Sequence, residues 1–124
     1  MLHHRELTAH IIGLAIEVHR HSGPGLLESF YAAAPCRELE RADIRVRREV
    51  GIPVLYKAEL LPLGFRADIL ADETVIAEIK AVPALLPAHD MQLQTYLRMS
   101  GLPVGPLLNF HALRRKDDLR RFVG

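Results

Sequence analysis

Apolar and polar positions divide the chain into a helical first third and a strand-rich remainder. Leu7, Ile11, Leu14, Ala15 and Val18 recur every three or four residues, which predicts an amphipathic helix over about residues 6–20. The run HSGPG, His21 to Gly25, ends it, because glycine accepts positive φ and proline cannot continue a helix. Gly25 is expected to supply a special backbone angle there. A second helix is predicted over about residues 26–41, with Leu27, Phe30, Ala34 and Leu39 inward. Pro35 lies inside it and removes one hydrogen bond, so a kink or break is expected at that point.

From Ile44 the period changes to two. Ile44, Val46, Val50, Ile52, Val54 and Tyr56 share one face, predicting a long strand in which Pro53 marks an edge or a bulge. A turn at Lys57 to Glu59 leads to a second strand over about 61–70. A turn at Ala71 to Thr74 leads to a third over about 75–82. Pro83 and Pro87 bracket a loop before a helix over about 88–99, stopped by Ser100-Gly101. Val104 to Phe110 reads as a fourth strand and Leu119 to Val123 as a short fifth. The order α-α-β-β-β-α-β implies an α/β or α+β fold, a mixed sheet of four to five strands flanked by helices. The fourth strand follows a helical crossover, so it should lie parallel to the third.

Composition adds bounds rather than a function. The 124 residues are most simply one domain, 1–124, with 49% hydrophobic and 25% charged residues. No apolar run reaches membrane-spanning length and no signal peptide is visible; the single cysteine, Cys36, fits a reducing, cytoplasmic setting. Net charge is +1, so the chain does not advertise a polyanion partner. The basic clusters, Arg45 with Arg47 and Arg48, and Arg114 to Arg121 broken by Asp117 and Asp118, read first as solvated faces. A G-x-S-x-G elbow, a P-loop and paired C-x-x-C motifs are all missing, which argues against serine hydrolase, nucleotide-binding and zinc-ribbon chemistry.

The chemistry concentrates in FRADILADETVIAEIKAV, Phe65 to Val82, where Asp68, Glu78 and Lys80 interrupt apolar strands. Residues opposite each other in a hairpin share a face, so the turn decides whether the carboxylates meet. A three-residue loop, Asp72 to Thr74, pairs Ala71 with Val75 and sets Asp68 opposite Glu78; a two-residue loop sends them to opposite faces. Three-residue loops favour a glycine that this one lacks, so the pairing is allowed and not forced. If they meet, two like charges about 5 Å apart at Cβ need a cation or a proton between them. A hard ion such as Mg²⁺ takes one or two carboxylates plus water and phosphate oxygens. With Lys80 on the face of Glu78, the set suits metal-assisted phosphodiester hydrolysis. The bland alternative is a surface hairpin with a salt bridge.

GLLESFY (Gly25 to Tyr31), FRAD, AEIKAV, HDMQLQTY and VGPLLNF stand in one order over nearly the whole chain. Together they resemble the GxxExxY protein family of the PD-(D/E)XK nuclease superfamily. The resemblance implies a metal-dependent nuclease with Asp68 and Glu78 binding Mg²⁺ or Mn²⁺, Glu28 as an auxiliary ligand, and Lys80 assisting the attacking water. It also implies that Gln92 lines the active site and orients Lys80 or a phosphate. Gln92 and Tyr96, four apart, share one helix face. His89, Tyr96 and Tyr31 are candidates for supporting positions around that centre. Ala67 stands where the superfamily name has proline. The implied partner is nucleic acid, and small size favours a homodimer. The competing expectation is a catalytically silent nuclease-fold module that binds nucleic acid or a protein.

Overall fold

A computed structural model describes residues 4–111 and 119–123. Two helices, α1 (His4–Ser22) and α2 (Glu28–Arg41), precede the strands β1 (Val46–Gly51), β2 (Val54–Tyr56), β3 (Glu59–Leu61), β4 (Arg66–Ala71) and β5 (Val75–Lys80). Helix α3 (Pro87–Ser100) then leads to β6 (Val104–Asn109) and β7 (Leu119–Val123). The main sheet has the order β1-β4-β5-β6-β7. It is antiparallel except for β5 and β6, which run parallel across the α3 crossover, as expected of a strand reached through a helix. The fold is therefore α+β with three helices on a mixed five-stranded sheet, consistent with a restriction-endonuclease-like core.

Each face of the sheet has its own core. On one side Leu7, Ile11, Ala15 and Val18 of α1 and Tyr31, Cys36 and Leu39 of α2 pack on Ile69, Val75, Ala77 and Ile79. On the other, Leu93, Tyr96 and Leu97 of α3 pack on Leu70, Ile76 and Leu107. The alternation of β5 explains the split: Ile76 points to α3, and its neighbours Val75 and Ala77 point away.

Several expectations are corrected. The long strand over 44–56 is two strands in two different sheets, because Pro53 has no N–H to offer a ladder. Val46 and Val50 do not share a face. They join opposite cores, since Glu49 between them has a φ of 51° and turns the strand over. The strand over 61–70 also divides, at Pro62 to Gly64, where Gly64 has a φ of 70°. Helix α2 shows no break at Pro35, which is buried in an unbroken helix. Its inward face is Tyr31, Pro35, Cys36 and Leu39; Leu27 precedes the helix and is 79% exposed, and Phe30 is 39% exposed. Burial of that stripe outweighs the hydrogen bond lost to proline.

Candidate active site

The register of the β4–β5 hairpin is the one that brings the carboxylates together. Ala71 pairs with Val75, Leu70 with Ile76 and Ile69 with Ala77 around the loop Asp72 to Thr74. This loop does without glycine by other means. Asp72 and Glu73 both have positive φ, 49° and 58°, and the Thr74 N–H closes the turn on the Ala71 carbonyl at 3.0 Å. Strand β1 holds that conformation from the side. The Asp72 N–H donates to the Arg45 carbonyl at 2.8 Å, and Arg47 grips Glu73 with two bonds of 2.7 Å. Part of the first basic cluster thus serves the hairpin.

Continuing the register sets Asp68 opposite Glu78, and here the ladder gives way to side-chain bonds. The Asp68 N–H donates to Glu78 Oε1 at 2.9 Å, and the Ile79 N–H donates to Asp68 Oδ2 at 2.7 Å. On the other flank, the β1–β4 pairing skips the position where Glu49 faces Asp68. Asp68 therefore sits at a local loosening of the sheet on both sides, which makes room for two acidic side chains between strands.

Glu78 is 1% exposed. Burial, then the charge of Asp68, pushes its carboxyl up to about 9, against the opposing pull of the Asp68 N–H and the Lys80 ammonium. Burial and the neighbouring carboxylate thus favour the protonated form of Glu78 in the metal-free chain. Glu28 opens α2 as an exposed residue. Partial desolvation raises its carboxyl from the ordinary value; Lys80 and His89 oppose the rise and Asp68 adds to it. Glu28 thus feels the charges of Lys80, Asp68 and His89. Among the described residues, however, no three His, Cys, Asp or Glu side chains are arranged to hold a metal ion.

Helix α3 supplies the remaining candidates. Pro87 starts it, and His89 Nδ1 accepts the Leu86 N–H at 2.9 Å, capping the first turn. In its neutral form this ring carries its proton on Nε2. Gln92 Nε2 donates to the Tyr96 hydroxyl at 3.1 Å, so the two residues four apart do share a face and are partners of each other. Tyr31 serves the α1–α2 connection. Its hydroxyl donates to the Gly23 carbonyl and accepts the Leu26 N–H at 3.2 Å, while its ring stacks on Phe110 at 4.6 Å. Gly25 in that connection has a φ of 93° with open space around its α-carbon, so backbone angle and not room is what requires glycine.

Sequence reasoning missed two polar residues near this region. Asn109, fully buried, bonds Val82 just beyond Lys80. Arg120 of β7 is ion-paired to Asp90 in the first turn of α3. Asn109 lies in the VGPLLNF motif, which signals the strand and the resemblance and not this residue's role. Of the second basic cluster, Arg114, Arg115 and Lys116 lie outside the described residues, as do Asp117 and Asp118.

A family model of PD-(D/E)XK nucleases matches residues 5–122, nearly the full chain and the whole of this arrangement. The chain belongs to the PD-(D/E)XK nuclease superfamily. Nucleases of this superfamily generally use divalent metal ions. No curated protein and no solved structure matches the chain significantly.

Proposed function

We propose that this PD-(D/E)XK chain is a metal-dependent nuclease that hydrolyses phosphodiester bonds of nucleic acid. The observation that carries the reading is the hairpin register, which sets Asp68 opposite Glu78 with Lys80 on the same strand as Glu78. The donor set fits a hard cation: a carboxyl pushed toward neutrality by burial and then by its acidic neighbour is relieved when a divalent ion replaces the proton. Asp68 and Glu78 would hold Mg²⁺ or Mn²⁺ as a two-carboxylate site; the auxiliary role the resemblance implies for Glu28 would require its side chain to move in from the start of α2. Bound there, the ion supplies Lewis acidity toward a phosphoryl oxygen and a water.

The chain's own residues do the rest. The Asp68–Ile79 and Glu78–Asp68 bonds fix both carboxylates against backbone, so their orientation is set before anything binds. Lys80 places a positive charge where a pentavalent phosphate gains negative charge, and it orients the attacking water. Gln92, bonded to Tyr96 through its N–H, would serve Lys80 or a phosphate with its remaining amide groups, as the resemblance implies, and His89 would act as a supporting group. Membership of the GxxExxY group, a cytoplasmic location and a homodimer belong to the same proposal. Among the described residues no helix is long and apolar enough to cross a membrane.

A second reading has its own observation. Each carboxylate accepts a backbone N–H of the opposite strand, so a module that only binds nucleic acid or protein would also retain the pair, as braces of the sheet. Cleavage of labelled DNA and RNA oligonucleotides with Mg²⁺ or Mn²⁺ separates the two. The nuclease reading expects metal-dependent products that fall about 100-fold or more in Lys80→Ala. Products that persist undiminished in that variant exclude the mechanism, and none in the wild type favours the braced module.

A further inference from the structure

Lys80 is held by a side chain on each side of it along β5. One residue before it, the Ile79 N–H is taken by Asp68 of β4. Two residues after it, Val82 is taken by Asn109 of β6: the Val82 N–H donates to Oδ1 at 3.0 Å, and Nδ2 donates to the Val82 carbonyl at 2.9 Å. Oδ1 also receives the His111 N–H at 3.3 Å. Asn109 is itself the parallel partner of Lys80, and the Phe110 N–H binds the Lys80 carbonyl at 2.8 Å.

A carboxamide presents one donor and one acceptor side by side, as a peptide group does. Asn109 therefore pairs with both backbone groups of Val82 and extends the sheet beyond its last ladder bond. The next residue, Pro83, has no N–H with which to continue it. An amide buried between Leu108 and Phe110, both 0% exposed, is costly unless it is bonded in this way. The clamp also fixes the exit of β5 into the loop that starts α3, where His89 caps the helix.

We propose that Asn109 is a positioning residue of the site: by pairing with Val82 it holds the segment that carries Lys80 where its ammonium reaches the Asp68–Glu78 carboxylates. The proposal rests on the roles given above to Asp68, Glu78 and Lys80. Asn109→Asp removes the donor while keeping shape, Asn109→Ser removes the paired geometry, and Val82→Pro removes the N–H from the other partner. Three readouts apply to every variant that folds: amide exchange followed by NMR, acylation of Lys80 relative to Lys57 by mass spectrometry, and Mn²⁺-dependent cleavage.

For Asn109→Ser, which withdraws the acceptor of the Val82 N–H, exchange at Val82 rises about tenfold or more while Ile79 stays within about twofold. In all three variants, the Lys80 to Lys57 acylation ratio rises several-fold, and kcat falls about 10- to 100-fold with KM and Mn²⁺ affinity within about twofold. An unchanged acylation ratio in the folded variants overturns the proposal. So does loss of Ile79 protection and Mn²⁺ binding together with that of Val82, because Asn109 then supports the sheet as a whole. If the wild type cleaves nothing, the nuclease reading fails, and exchange with acylation still decides for or against the clamp.

Discussion

The β4–β5 hairpin, with the loop Asp72 to Thr74, and the β2–β3 hairpin, with the loop Lys57-Ala58, use similar backbone angles and live in different surroundings. Each passes through two consecutive non-glycine residues with positive φ, Asp72 and Glu73 in one, Lys57 and Ala58 in the other. Such angles cost roughly 1–2 kcal/mol per residue. The first turn is tied to β1 by the Arg47–Glu73 pair and the Asp72–Arg45 backbone bond. The second has the Lys57 ammonium over the Tyr56 ring at 5.6 Å. Strands β4 and β5 lie inside the main sheet, whereas β2 and β3 form a ribbon of their own with Leu55 and Leu60 each 63% exposed. Turn chemistry thus allows a hairpin, and burial decides what its side chains become. Glu59 in the ribbon is exposed to solvent; Glu78 at the sheet centre is buried, and burial with the charge of Asp68 pushes its carboxyl up.

Mutations on matched positions sharpen that contrast. Ile76→Ala, at a fully buried position of β5, should cost about 2–5 kcal/mol in denaturant unfolding. Glu78→Gln should act in the opposite direction, raising metal-free stability at pH 7 by on the order of 3 kcal/mol by removing the buried ionisable group. The pH dependence follows from the same cause. Glu78 titrates higher in the folded chain than its ordinary 4.5, so its stabilising share is complete below about 4.5 and is lost as pH rises toward about 9. Metal-free unfolding midpoints should decline across that window in the wild type and flatten in Glu78→Gln. A flat wild-type profile would remove the buried acid from the account.

Smaller effects test the braces. Arg47→Ala releases Glu73 at the surface, so global stability should change little while amide exchange at Thr74 quickens several-fold. Leu60→Ala in the ribbon should be smallest, within about 0.5 kcal/mol, with no change at the site. A loss comparable to that of Ile76→Ala would mean that the ribbon is integral to the core.

Much of the site's frame was legible because hairpin parity leaves only two outcomes. What the sequence left open, the choice between loops, is tied to Arg47 of β1 and to Arg45 just before it, and a local pattern does not show such long-range ties. The crossover from β5 to β6 was equally legible, since proline, helix periodicity and a strand follow in order. The breaks at Pro53 and at Pro62 to Gly64 were not, because apolar alternation continues through both while the hydrogen-bond partners change. Pro35 misled in the opposite sense: helix propensity forbids it locally, and the buried stripe of Tyr31, Cys36 and Leu39 overrides it. Asn109 stayed hidden because its role depends on a backbone group 27 residues away.

The central claim is that Asp68 and Glu78 form one acidic site whose proton yields to a divalent ion. Calorimetric titration with Mn²⁺ at pH 7, repeated in two buffers of different ionisation heat, tests it most directly. The account predicts one ion per chain, release of close to one proton on binding because Glu78 is protonated beforehand, and loss of the signal in Asp68→Asn and in Glu78→Gln. Binding that survives in both variants, or no binding in the wild type, would contradict it.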